Sequence, residues 1–257
     1  MNQQAWIHLA VSCLAAAIWL AAYRLPLAAP RRRQRFKLAV SSATGMPPRL
    51  VFPIVGTLIY LAGAALAAAA VMLTTGPGLG DVLPIGLDWR YLPMTVLAIA
   101  GSASLTAFAM SVLYSVKPTI DIGSSVSSVG WISQILVLPV QWRWIVPMSS
   151  AALEEFFFRG VLCGGLLLAG AEPWAAILWS GLVFTVCQAL LTESPLQALV
   201  LTISSIVISV VGGLLLVITG SVIPAIIMHA SFAGFYTNNS GPADERSRRP
   251  AQAGRAG

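Results

Sequence analysis

Charge is what this chain of 257 residues has least of: charged residues make up 9%, with Asp and Glu together numbering 9 and Lys and Arg 15, against roughly 25% in ordinary globular chains. A soluble fold of this size is thereby excluded, because a water-facing surface needs ionisable groups and a bilayer interior does not. Hydrophobic residues reach 57%, in continuous runs without the strict alternation that a transmembrane barrel strand requires. The expected fold class is all-α, a polytopic transmembrane helical bundle.

Cysteine and histidine are also scarce. Cys13, Cys163 and Cys187 lie inside apolar runs with no CxxC spacing, so neither a disulfide framework nor a zinc site is indicated. The formal net charge is +6, but the basic residues flank apolar spans, where they orient the chain in a membrane, and no nucleic-acid partner is expected.

About seven spans are read, at residues 5–23, 50–73, 92–114, 144–169, 174–191, 196–217 and 221–237. The first follows the uncharged MNQQ and precedes Arg24 and the cluster Arg31, Arg32, Arg33, Arg35 and Lys37, the reverse of a secretory signal, so it is expected to be retained as an anchor. Positive-inside counting puts 24–49 in the cytoplasm, the N-terminus outside and the C-terminus inside. Asp81 and Asp88 in one connection, and Arg246, Arg248, Arg249 and Arg255 in the tail, agree with those sides. Residues 115–143 read as an interfacial or re-entrant helix, or as an extra span. The tail 238–257 has no apolar face and is expected to be disordered and cytoplasmic.

The informative residues are the ionisable groups inside spans, which are costly in hydrocarbon and face polar interiors. The densest cluster is Glu154, Glu155 and Arg159 in SSAALEEFFFRG. Glu155 and Arg159 are an i,i+4 pair with the acid N-terminal, the more favourable order. Glu154 is turned aside, a spare carboxylate suited to general-base work. The bland alternative is a trio that satisfies its own charge and pins helix packing. His229, the histidine deepest in a span, needs a partner or water; a packing role is its default unless acids lie opposite. Gln188 alone reads as interhelical glue. Cys187 beside it has nothing nearby in sequence to activate it as a nucleophile.

Glu154-Glu155-x-x-x-Arg159, then Phe184-x-x-x-Gln188 one span later, then Ile223-Pro224-Ala225-x-x-x-His229, resembles the motif set of the CAAX-protease and bacteriocin-processing (CPBP, or Abi) intramembrane endopeptidases, over about Trp144 to Phe235. The resemblance implies a helical core at 144–237; residues 1–143, the N-terminal spans with the cytoplasmic basic loop, match the family only as apolar spans. It implies a polar cavity open to the cytoplasmic side, in which a glutamate activates water against a peptide bond of a membrane-associated or lipid-modified substrate. By that likeness Glu154 is the base, Glu155 and Arg159 shape and charge-balance the site, and His229 donates to the tetrahedral oxyanion. The implied setting is a bacterial inner (plasma) membrane.

Two positions depart from the family pattern. Its second motif is Phe-x-x-x-His, where this chain has Gln188, which holds a water but accepts no proton at neutral pH. Its third motif ends His-x-x-x-Asn or Asp, where this chain has Ala233. An active enzyme then calls for a stand-in such as Ser231 or Thr185, or for a different geometry. Zinc hydrolysis normally takes three protein ligands. Without HExxH, and with one membrane-embedded histidine, no metal or other cofactor is expected. The rival reading is a proteolytically inactive scaffold or immunity-type factor that binds a partner in the old cavity. An ion-coupled carrier using the same charged trio is weaker, since no inverted repeat is visible.

Overall fold

Proline, serine and glycine mark the helix ends. In the computed structural model, which describes residues 1–24, 30–82 and 88–239, Pro173 and Pro195 open helices where the missing N–H has no partner to lose. Ser194 caps the second of these, accepting from the Gln197 amide at 3.3 Å. Gly76 and Gly220 close helices in the left-handed region, at φ 92° and 66°.

The long elements in chain order are α1 (Gln3–Arg24), α2 (Pro30–Thr44), α3 (Pro48–Thr75) and α4 (Trp89–Val116). Two short helices follow, α5 (Ile122–Ser127) and α6 (Gly130–Ile135), then α7 (145–168), α8 (Pro173–Leu190), α9 (Pro195–Thr219) and α10 (Ile223–Asn239). No strand occurs among the described residues. Helices α8 and α9 pack closely along each other, α1 lies on α3, and α10 lies on the first section of α7 and touches α9 and α4. Small residues permit the closest approach: a Cβ on Gly213 of α9 would stand 2.9 Å from the Ile177 side chain of α8.

Helix α4 shows how the bundle is turned inside out relative to a soluble protein. Its Thr95, Ser102 and Thr106 are buried, while Leu97, Leu105 and Phe108 are exposed, the arrangement suited to a lipid surround. Among the described residues five helices, α1, α3, α4, α8 and α9, are long and apolar enough to cross a membrane. The expected count of about seven is not reached on that measure, for two physical reasons. Helix α7 buries charged groups and is divided by a π-helical segment, Phe156–Gly164, and the apolar part of α10 is the shorter stretch Ile223–Phe235.

Between α4 and α7 the chain forms no extra span: α5 and α6 have six residues each, about 9 Å of helix, far short of a bilayer. The basic loop read from the sequence contains α2, a helix that its charge density concealed. Of the expected tail, Asn238 and Asn239 end α10, and 240–257, with its four arginines, lies outside the described residues. In the α3–α4 connection Asp88 accepts from the Arg90 backbone N–H, which holds its carboxyl below the usual range.

Candidate active site

The two carboxylates sit at the junction where α7 changes from α-helix at Ile145–Glu155 to π-helix at Phe156–Gly164. Wide turns of this kind occur often at functional sites. His8 of α1 reaches the segment, its Nε2 lying 3.0 Å from the Val161 carbonyl.

Glu155 is fully buried, at 0% exposure. One oxygen lies 3.1 Å from Arg159 Nε, as an ion contact rather than an aligned hydrogen bond. The other meets His229 Nδ1 of α10 at 2.8 Å. Arg159 is also buried, its guanidinium carbon 4.8 Å from the centre of the Phe184 ring of α8. Gly212 of α9 leaves room for the pair, since a Cβ there would stand 3.2 Å from both Arg159 Nε and Glu155 Oε2. The expected Glu155–Arg159 partnership is present, with His229 as a third member that spacing along α7 alone does not reveal.

Glu154 has a different environment. The Tyr60 hydroxyl of α3 donates to its Oε1 at 2.7 Å, and the Gln188 amide of α8 donates to its Oε2 at 3.2 Å. Each oxygen thus accepts one bond, and a carboxylate has about four acceptor sites, so sites remain for a further donor. Glu154, Tyr60, Gln188, His229 and Ala233 all line one cavity of about 850 Å³. Glu154 and His229 therefore face a common space, although His229 bonds Glu155. With Nδ1 on a carboxylate, the neutral ring carries its proton there and presents the lone pair of Nε2; a protonated ring presents an Nε2–H donor.

Tyr60 is the residue that the sequence motifs miss. A signal was available, since a lone phenol in the middle of a span needs a partner for its hydroxyl, but the partner is 94 positions away. Its ring packs on Trp19 and Tyr23 with centroids 4.8 and 5.1 Å apart, and Trp19 Nε1 donates to the Tyr60 carbonyl at 3.0 Å. The suggested stand-ins fare differently. Neither Thr185 nor Ser231 belongs to the cavity wall, and Thr185 Oγ1 is buried without a partner. Cys187 is free, and burial rather than an activating base characterises it. Among the described residues no group of three or more His, Cys, Asp or Glu side chains is placed to hold a metal ion.

With this geometry in hand, residues 136–235 match the family described as Rce1-like: Type II CAAX prenyl endopeptidase Rce1-like. Over these residues the chain is CAAX-protease-like. The match contains Glu154, Glu155, Arg159, Gln188 and His229, and excludes Tyr60. Comparison with curated proteins and with solved structures gave no match. The apolar helices and the match over residues 136–235 together support an integral membrane protein.

Proposed function

We propose that the chain is an intramembrane endopeptidase that hydrolyses a peptide bond of a membrane-associated or lipid-modified substrate with water activated by Glu154. The observation that carries this reading is the division of labour between neighbouring acids: Glu155 is committed to Arg159 and His229, while Glu154 lines the cavity with acceptor capacity left over.

In this reading the water loses a proton to Glu154 as its oxygen attacks the peptide carbonyl, and the tetrahedral oxyanion is met by the Nε2–H of protonated His229. The same proton passes from Glu154 to the departing nitrogen as the C–N bond breaks, giving a carboxylic acid and an amine. Gln188 and Tyr60 hold the carboxylate in one orientation, and Glu155 orients the imidazole. The catalytic-type core is then 144–237, with 1–143 supplying spans and a cytoplasmic basic segment. The setting is a bacterial inner membrane, with the N-terminus outside and the C-terminus inside.

The test is processing of lipid-modified and membrane-anchored peptides by wild type and Glu154→Gln. Loss of a general base costs roughly 10²–10⁴ in rate, and undiminished processing by the variant overturns the mechanism.

A second reading, an inactive relative that binds a partner in the same cavity, is supported by Gln188. Its amide occupies a Glu154 oxygen in place of a proton-accepting histidine, and Ala233 adds an apolar wall where the family pattern has a donor.

A further inference from the structure

Phe52 sits where α3 widens into a π segment, Phe52–Gly56, around Pro53. Two cations lean on its ring from one face of α2: the Arg33 guanidinium carbon lies 5.5 Å and the Lys37 ammonium 5.4 Å from its centre. Phe36, from the same helix, packs on the ring at 5.8 Å. Arg33 and Lys37 are i,i+4 neighbours of like charge, an arrangement that repels. Among the described residues neither forms an ion pair.

A solvated basic face is the ordinary explanation for such a run, and it fits Arg31, Arg32 and Arg35, which are exposed. It does not fit Arg33 and Lys37, which are half-buried on the side that faces α3. Arg33 and Phe52 line the same cavity as Glu154. Two polar N–H groups of the wall, Arg33 Nε and Trp131 Nε1, are covered without an acceptor. Unpaired donors are costly and call for an acceptor. The acids that line the cavity form no ion pair with either cation among the described residues: Glu154 is bonded by Tyr60 and Gln188, and Glu193 belongs to the α8–α9 turn. Much of the remaining wall is aliphatic, including Ile135, Val146, Val200 and Ile208.

Arg33 in the wall, Lys37 beside it across the Phe52 ring, and an apolar lining define the complement. We propose that Arg33 and Lys37 form a clasp for the carboxylate or phosphate end of a single-chain amphiphile whose apolar chain lies in the cavity toward Glu154. The proposal goes beyond hydrolysis and does not depend on it, since it concerns what the cavity binds.

The test uses the full chain in neutral-detergent micelles, with binding of oleate, oleoyl lysophosphatidate and uncharged monoolein measured by tryptophan fluorescence. Wild type is expected to bind at least one of the anionic probes about tenfold more tightly than monoolein, the scale of one charge-assisted hydrogen bond. Which anionic probe is preferred identifies carboxylate or phosphate as the source. Arg33→Gln/Lys37→Gln is expected to abolish the preference, and the exchange Arg33→Lys/Lys37→Arg to retain it, which separates lost charge from lost folding. Arg31→Gln/Arg32→Gln is expected to retain it as well. Glu154→Gln is measured alongside: an intact preference there, whatever its hydrolytic activity, keeps this inference apart from the proposed chemistry. Equal binding of all three probes by wild type overturns the proposal, as does a preference that survives the Arg33/Lys37 neutralisation or is lost equally with Arg31 and Arg32.

Discussion

Glu154 and Glu155 are consecutive in the chain and occupy opposite surroundings. Around Glu155 the structure is closed: one cation, one imidazole and no exposure. Around Glu154 it is open: two neutral donors and a wall of the cavity. One step along a helix turns a side chain by about 100°, enough to send one acid into the packed centre of the bundle and its neighbour to the chamber. The lesson is that two identical side chains take different surroundings according to the partners that other helices deliver, one paired with charge and buried, one left at a cavity wall with acceptor capacity to spare.

Removing a group from the closed side is expected to have the largest effect. Glu155→Gln leaves Arg159 buried without its counter-charge, and breaking a buried pair from one side costs about 3–5 kcal/mol. Thermal or denaturant unfolding in detergent is expected to show this loss, with Glu154→Gln losing under about 2 kcal/mol, because its partners are neutral hydrogen-bond donors. Equal destabilisation by the two changes breaks the comparison.

On the open side, Gln188→His with Ala233→Asn sharpens the comparison by adding a proton acceptor and a donor to the cavity wall. A gain of about 10²-fold in peptide hydrolysis is expected where these groups limit the rate. A first appearance of hydrolysis in the double variant favours the inactive-relative reading for the natural chain, and a rate equal to wild type shows that the other groups already suffice.

The smallest effect is expected at Tyr60. Tyr60→Phe removes one hydrogen bond to a carboxylate while preserving the ring packing on Trp19 and Tyr23, and a fall of about tenfold in kcat with little change in KM is expected, since in the proposed mechanism the phenol orients the base rather than the substrate. A rise in KM alone assigns Tyr60 to substrate binding instead.

Much of the bundle was legible in composition and hydropathy, because hydrocarbon imposes helical spans of fixed length and leaves few places for charge. The apolar runs became helices near their expected ends, and the charged turn of α7 contributes Glu154 to the cavity wall. Helix α2 was illegible, since five basic residues between Arg31 and Lys37 read as a loop until its inward face found Phe52. The short helices of 115–143 were ambiguous for a related reason: an apolar run such as WISQILVLPV has the hydropathy of a span without its length.

By itself, then, the sequence determined the solvent, the helical class and the local pairing of Glu155 with Arg159, because each depends on composition or on neighbours within one helical turn, and its motifs carried the family resemblance over residues 136–235. Only the tertiary structure decided that His229 bonds Glu155, that Tyr60 and Gln188 hold Glu154, and that Glu154, Tyr60, Gln188 and His229 share a chamber with Arg33. Those contacts join helices far apart in the chain, and no periodicity within a single span encodes which partner another span will bring.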